Sequence, residues 1–271
     1  MSWRLVARHD ARDLARSRLG WLLPALTVAG LGGVVVAYPV VAARPAADTS
    51  LVYLATLARW LVPAAALVTG YGAVVRHREA GRLALLLGLS LDRRAVAAGA
   101  LVSRTGAVAA ATAAGLAVAG LATAVRYAAW SPRQFLAVGA LTVLLGVAVG
   151  ALAVGVSLAS GSAARAVTVL VGAFVCFLFA WDLLPAGLYF VAFGSFPGND
   201  VPPDWYLLLS RLNPANAYTA AVTAALPTLK TGLGAARPAY LTGWFAVAVL
   251  VGWSVLAPLA GYVRFARAEL G

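Results

Sequence analysis

Very few side chains in this sequence could carry out acid–base, nucleophilic or metal-ligand chemistry. His9 and His77 are the only histidines, Cys176 is the only cysteine and Met1 is the only methionine. A soft-metal site needs several such ligands together, so none can be assembled within one chain. A single cysteine excludes an internal disulfide bond, and within an apolar run it behaves as a small apolar residue.

The short motifs of common enzymes are missing as well. There is no G-x-x-x-x-G-K-[ST], and the only lysine, Lys230, does not follow a glycine-rich loop, so we expect no ATP site in this chain. H-E-x-x-H and a G-x-S-x-G elbow with triad candidates are also lacking. Proton-coupled transporters usually carry several acids within their spans, whereas Asp182 is the only candidate here. The sequence predicts no catalytic residue, cofactor or metal, and disfavours both an enzyme and a secondary transporter.

The composition indicates an integral membrane protein. Hydrophobic residues make up 62% of the 271 residues and charged residues 11%, against about 45–50% and about 25% in soluble domains. The formal net charge of +12 lies next to apolar runs. That distribution sets the orientation of a protein in a membrane, and it does not indicate nucleic-acid binding.

Six apolar runs are long enough to cross a bilayer core of about 30 Å. The first could instead be a signal peptide cleaved after Ala43, but it exceeds the usual core of about 7–15 residues. We therefore predict an all-α membrane protein with six transmembrane helices in a single domain, residues 1–271. The predicted spans are about residues 20–43, 51–75, 96–125, 135–160, 166–182 and 240–263.

Residues 1–19 are predicted to form an amphipathic elbow helix that lies in the membrane interface. Its arginines recur at every fourth residue, while Trp3 and several aliphatic residues project on the other side. Asp10 falls on the apolar side and weakens the pattern. The alternative is a disordered basic tail. The arginine stripe consists of Arg4, Arg8, Arg12 and Arg16.

Two charged residues interrupt apolar runs. Arg59 lies about two turns into the second span, and at the bilayer centre an arginine costs about 2.5–3.5 kcal/mol. Arg59 either extends to the outer headgroups or faces a translocation path or a partner protomer. Asp182 is predicted to cap a short re-entrant or surface helix over 185–193, with pairing to Arg59 as the alternative.

A polar stretch, residues 76–94, lies between the second and third spans. Leu83, Leu86 and Leu87 share one face of a predicted short helix. Gly88 is placed to end that helix, and Ser90 to cap the next one. We interpret the stretch as a helix, a tight corner and a second helix that enters the membrane.

The residues of this stretch resemble the first cytoplasmic loop of ABC-2-type transporter permeases. The similar residues are Glu79-x-Gly81-x-Leu83-x-x-Leu86-Leu87-Gly88-Leu89, followed by Arg93-Arg94-x-Val96-x-x-Gly99. They are most similar to the branch that includes the permeases of nitrous-oxide-reductase maturation systems. The resemblance implies that residues 76–94 form a coupling helix that docks on a separate cytoplasmic ATPase subunit. A generic basic loop of another membrane protein is the alternative.

The resemblance also implies roles for single residues. The three leucines would fill a groove on the ATPase, and Glu79, Arg93 and Arg94 would form a polar rim around it. In the outer segment, residues 183–239, the stretch 212–218 resembles a segment before the last span of the family, although an Asn-Pro turn explains it equally well. The implied coupling residues are Arg78, Glu79, Gly81, Leu83, Leu86, Leu87, Gly88, Arg93 and Arg94. Candidates for a path or an interface are Arg59, Asp182, Asn213 and Asn216.

The charge distribution predicts the topology. Most arginines in short connecting segments fall on the side that holds both termini and residues 76–94, so that side is expected to be cytoplasmic, in the plasma membrane of a prokaryote. The implied function is that of a permease subunit that couples ATP hydrolysis to export or conformational signalling. Its implied partners are a cytoplasmic ATPase that binds ATP-Mg, a second permease protomer in a homodimer, and membrane lipids. The alternative is a membrane scaffold or assembly factor without transport.

Overall fold

The computed structural model describes residues 3–42, 45–79, 92–198, 202–226 and 238–267, and these ranges contain helices and no β-strand. A π-helical turn, Cys176–Ala180, extends α7, and a 3-10 turn, Ala239–Leu241, precedes the last helix. The helices are α1 (Trp3–Arg16), α2 (Arg18–Val41), α3 (Ala47–Gly70), α4 (Val75–Glu79), α5 (Arg93–Arg126), α6 (Pro132–Ala159), α7 (Ala163–Val175), α8 (Leu183–Phe193), α9 (Asp204–Arg211), α10 (Pro214–Ala225) and α11 (Gly243–Arg267).

Six helical segments within the described ranges are long and apolar enough to cross a membrane, which confirms the predicted all-α class with six spans. Their bounds differ from the predicted ones by a few residues. The third span begins at Arg93, and Asp92 caps it by accepting a hydrogen bond from the Arg94 amide at 3.3 Å. The prediction that Ser90 caps this helix is therefore wrong. The spans are Gly20–Val41, Ala47–Glu79, Arg93–Arg126, Pro132–Ala159, Ala163–Ala180 and Gly243–Arg267.

The fourth span, α6, lies at the centre of the bundle and packs on α3, α5, α10 and α11. Of an apolar 18-residue stretch in each span, 56% is buried in the fourth span, against 24% in the first and 17% in the fifth. Small residues let its neighbours approach, since a Cβ atom at Gly146 would lie 3.0 Å from Val62 and Val108. The fourth and sixth spans approach each other closely at Gly155 and Gly261, where a Cβ atom on either would overlap backbone of the other helix.

The N-terminal helix α1 packs along α5, and its anchor is Asp10. The Asp10 carboxylate is buried and accepts hydrogen bonds from Arg104 Nε at 2.8 Å and Nη2 at 2.5 Å, and from the Ser103 hydroxyl. Arg104 also donates to the Thr69 carbonyl at 3.2 Å. Asp10 lies on the apolar side of α1, and that side faces α5. Its counter-charge, Arg104, lies on α5, so the Asp10 carboxylate holds α1 against this span.

The outer segment contributes one buried helix, α10, which packs between α3, α6 and α11. The Tyr218 hydroxyl lies 2.9 Å from the Thr142 hydroxyl of α6. Burial raises the pKa of the Tyr218 phenol well above its usual value, so the group stays neutral. The hydrogen bond fixes the rotation of α10 against the central span.

Candidate functional site

The two ends of the polar stretch between the second and third spans, residues 76–94, both lie beside the buried ring of Phe265. On the entering side, Arg78 Nη1 donates to the Ser160 carbonyl at 2.9 Å. Glu79 Oε1 accepts a hydrogen bond from the Ala163 amide at 2.7 Å. That amide is one of the first N–H groups of α7, which lack partners within the helix and favour a negative charge.

On the leaving side, Arg93 contacts the last turn of the sixth span. Its Nη1 donates to the carbonyls of Phe265 at 3.0 Å and Ala266 at 2.8 Å. These carbonyls belong to the last described turn of the helix, and a cation near a helix C-terminus interacts favourably with the helix dipole. Arg94, the next residue, lies against Tyr262 of the same helix.

Phe265 joins the two sides. Its side chain is fully buried, and its ring lies 5.7 Å from the Arg78 guanidinium and 5.8 Å from that of Arg93. Cation–π contacts of this kind are worth about 0.5–2 kcal/mol. We call Arg78, Glu79, Arg93 and Phe265 the Phe265 clasp.

The clasp is held to the centre of the bundle by a serine. Ser157 of α6 is buried and its hydroxyl accepts hydrogen bonds from the amides of Val74 at 3.0 Å and Val75 at 3.1 Å. These amides begin the short helix α4. The clasp thus ties the ends of the polar stretch to the fourth, fifth and sixth spans.

The clasp places several predicted coupling residues in contacts within the chain. Glu79 and Arg93, which the resemblance assigns to a rim around the ATPase, bond to α7 and α11 within the chain. Phe265 and Ser157 were not predicted, because their partners lie far away in the sequence and no local pattern marks them. The predicted helix and its Gly81, Leu83, Leu86, Leu87 and Gly88 lie outside the described residues.

A second polar cluster, which we call the outer polar cluster, joins Arg59, Asn216 and Asp182. Arg59 Nη2 donates to Asn216 Oδ1 at 3.0 Å, and Asn216 Nδ2 donates to Asp182 Oδ1 at 2.8 Å. The side-chain amide therefore bridges a guanidinium and a carboxylate that make no direct ion pair with each other. Arg59 also lies 5.8 Å from the ring of Trp60, and its Nε is buried without a partner among the described residues.

Asp182 is at the N-cap position of α8, but its side chain makes no capping hydrogen bond. Its backbone is already helical there, and a helical residue cannot direct its side chain back to the first amides. The prediction that Asp182 caps α8 is therefore wrong. The carboxylate accepts the hydrogen bond from Asn216 in the outer polar cluster.

Asn213 holds the helix that carries Asn216 of the outer polar cluster. It is fully buried, and its Oδ1 accepts hydrogen bonds from the amides of Ala215 at 2.7 Å and Asn216 at 3.3 Å, so Asn213 caps α10. Its Nδ2 donates to the Phe177 carbonyl in the π-helical turn at 2.6 Å. A π turn widens the helix and is frequent at functional positions. Asn213 and Pro214 thus begin α10, and the Asn213 side chain bonds this end of the helix to the fifth span.

Three side chains complete the outer polar cluster by satisfying carbonyls at the end of α9. Trp181 Nε1 donates to the Leu209 carbonyl at 2.9 Å, and Asn216 Nδ2 to the Ser210 carbonyl at 3.1 Å. Trp253 Nε1 of the last span donates to the Leu212 carbonyl at 2.9 Å. The structure therefore brings together all four residues predicted for a path or an interface.

Neither cluster has the composition of a metal centre. Within the described ranges, no three His, Cys, Asp or Glu side chains are grouped as metal ligands. The outer polar cluster includes Arg59 at the middle of α3, whereas the Phe265 clasp lies beyond the C-terminal end of that helix. The geometry of each cluster links separate spans through arginine and amide groups. Such an arrangement can transmit or resist movement of the spans.

Comparison with known proteins gives one family. A family model described as ABC-2 family transporter protein matches residues 4–270. None of the curated proteins compared with the chain matches it. The family match gives no support to the narrower resemblance to permeases of nitrous-oxide-reductase maturation.

Proposed function

The chain belongs to the ABC-2 family of transporter proteins, and from this we propose that it couples ATP hydrolysis in a separate ATPase subunit to export or conformational signalling. The chain itself is a transmembrane permease subunit and not an enzyme. ATP-Mg binds to the partner, because the sequence has no P-loop.

The observation that carries this proposal is the Phe265 clasp. Residues 80–91 connect two anchored ends, at Glu79 and at Arg93, and these ends contact the fifth and sixth spans. A protein that docks on residues 80–91 would push or pull on both anchors at once. A movement at the membrane surface would thereby reach two spans through the hydrogen bonds of Glu79 and Arg93.

A second permease protomer completes the proposed transporter. Within the chain, only 17% of the apolar 18-residue stretch of the fifth span is buried, and only 24% of that of the first span. Large apolar side chains of α7 such as Val169 and Val175 are exposed. We propose a homodimer in which these spans line the interface and a path between the protomers.

The outer polar cluster is the proposed closure of that path. Its residues link the second span, the end of the fifth and the buried helix α10. The buried Arg59 Nε without a partner marks a position where a small movement or a ligand oxygen would gain a hydrogen bond.

The coupling assignment is tested by two substitutions together, Leu86→Asp and Leu87→Asp. We expect them to abolish association with the ATPase while membrane insertion stays intact, because two carboxylates cannot be desolvated in an apolar groove. The measurement is affinity purification of the chain from its native membranes in mild detergent. Vanadate-sensitive ATP hydrolysis is then assayed in the eluate.

The matched control is Ala84→Asp with Leu85→Asp, which adds the same charge on the opposite side of the predicted helix. This variant should retain the ATPase. Normal co-purification of the Leu86/Leu87 variant would contradict the coupling assignment. A native chain that brings down no nucleotide-binding subunit, even after crosslinking, would favour the membrane scaffold.

A further inference from the structure

Two adjoining cavities run along the second span. The first, of about 240 Å³, lies between the end of this span and α1, and we call it the polar cavity because four charged side chains line it. The second, of about 360 Å³, lies between α3 and α7 and is lined by apolar side chains alone. Val68 and Tyr71 line both cavities. We propose that the two together bind one phospholipid with a phosphoethanolamine headgroup, from the leaflet next to α1.

The charges of the polar cavity favour a ligand that carries both signs. Asp10, Asp13, Arg76 and Arg104 line it, with His77 as a further polar group. Asp10 and Arg104 neutralise each other through two hydrogen bonds of 2.8 and 2.5 Å. Arg76 and Asp13 remain as the charged groups that can meet a ligand.

Neither of these two groups is strongly paired. The Arg76 guanidinium lies 4.7 Å from the ring of Tyr71 and makes no ion pair or hydrogen bond with the described part of the chain. The Asp13 carboxylate is 45% exposed, and its partner is His9 Nε2 at 3.7 Å. A guanidinium binds phosphate through two parallel hydrogen bonds, and a carboxylate accepts hydrogen bonds from a primary ammonium group.

Glycine leaves room for the Arg76 side chain to lie in this position. A Cβ atom at Gly72 would come within 2.8 Å of Arg76 Cδ and 2.9 Å of its Nε. The side chain of Arg76 therefore folds back over the end of the span and lines the cavity while it remains exposed.

The apolar cavity has the position and length needed for an acyl chain. It extends from Tyr71 back to Ala64, a rise of about 10 Å in an α-helix, and one leaflet has a hydrocarbon depth of about 15 Å. Leu67, Val171 and Phe174 form its walls. The charged groups lie beyond Tyr71, where the headgroup of a lipid with its chain in this groove would be. This inference requires only that the chain spans a membrane, and it stands whether or not an ATPase binds.

The test uses the full chain in vesicles with equal amounts of phosphatidylethanolamine, phosphatidylcholine and phosphatidylglycerol. The protein is extracted in mild detergent, and the lipid that stays with it is counted by mass spectrometry. We expect phosphatidylethanolamine to be enriched about tenfold over each of the others, since each of them loses one charge-assisted contact. Arg76→Ala and Asp13→Asn should each remove most of this enrichment.

Two controls separate the site from the basic surface around it. Arg12→Ala removes an exposed arginine of α1 that does not line the cavity, and it should leave the enrichment unchanged. Val171→Trp fills the groove and should lower the retained lipid, whereas Val169→Trp, on the same helix but outside the groove, should not. Equal retention of the three lipids, a preference for phosphatidylglycerol, or unchanged enrichment in Arg76→Ala and Asp13→Asn would overturn the proposal.

Discussion

At the scale of single residues, the Asp10 carboxylate decides how the N-terminal helix is held. It is buried together with Arg104 and Ser103 of α5. Removing one member of a buried pair leaves the other charge uncompensated, which costs about 3–5 kcal/mol, whereas removing both can be nearly neutral. The pair therefore fixes a position more than it adds stability.

The variant Asp10→Asn should accordingly lower the stability of the protein by about 3–5 kcal/mol. Adding Arg104→Met to it should restore most of the loss, because no buried charge then remains. The measurement is the unfolding midpoint of both variants and of Arg104→Met alone, in one detergent. Additive effects in this double-mutant cycle would show that the two side chains do not interact.

At the scale of the helices, small residues determine how closely the spans approach. A Cβ atom at Gly261 of α11 would overlap the carbonyl of Gly155 on α6. Backbone atoms at this contact cannot rotate away as a side chain can. The central span and the last span are thus held at a distance that only glycine at both positions permits.

We expect Gly261→Leu to force these two helices apart and to destabilise the protein by about 1–3 kcal/mol or more, as overpacking does. Gly252→Leu on the same helix is the matched control, since a Cβ atom there meets nothing within 4 Å. Folded yield by size-exclusion chromatography and the unfolding midpoint distinguish the two. Equal loss in both variants would mean that replacing any glycine of α11 by leucine is destabilising, and the contact with Gly155 would not be the cause.

At the scale of the whole molecule, charge determines orientation. The net charge of +12 is concentrated on the side that holds α1, the polar stretch 76–94 and the end of α11. Because positively charged segments usually stay on the cytoplasmic side, we predict that this side, with both termini, is cytoplasmic.

This topology predicts the labelling of single cysteines in a Cys176→Ser background. Ala129→Cys, in the exposed connection between α5 and α6, should react with a membrane-impermeant maleimide in whole cells. Gly161→Cys, in the exposed connection between α6 and α7, should react only after the cells are opened. The reverse pattern would mean that the chain is inserted the other way round.

The sequence alone determined the class of the protein, its six spans and the residues that cross or interrupt them. This was possible because each span must satisfy its backbone hydrogen bonds within itself and be apolar over its whole length, which are properties of one contiguous run. The candidate residues Arg59, Asp182, Asn213 and Asn216 could be named because polar groups stand out in such a chain.

Only the tertiary structure decided which groups those residues contact. Arg59 and Asn216 are 157 positions apart, and Arg93 and Phe265 are 172 apart, and helical periodicity fixes the face of a side chain but not the helix it meets. For the same reason Asp10 looked like a defect in an amphipathic pattern until α5 supplied Arg104. Contacts between spans depend on how the helices pack, and packing is a property of the folded molecule.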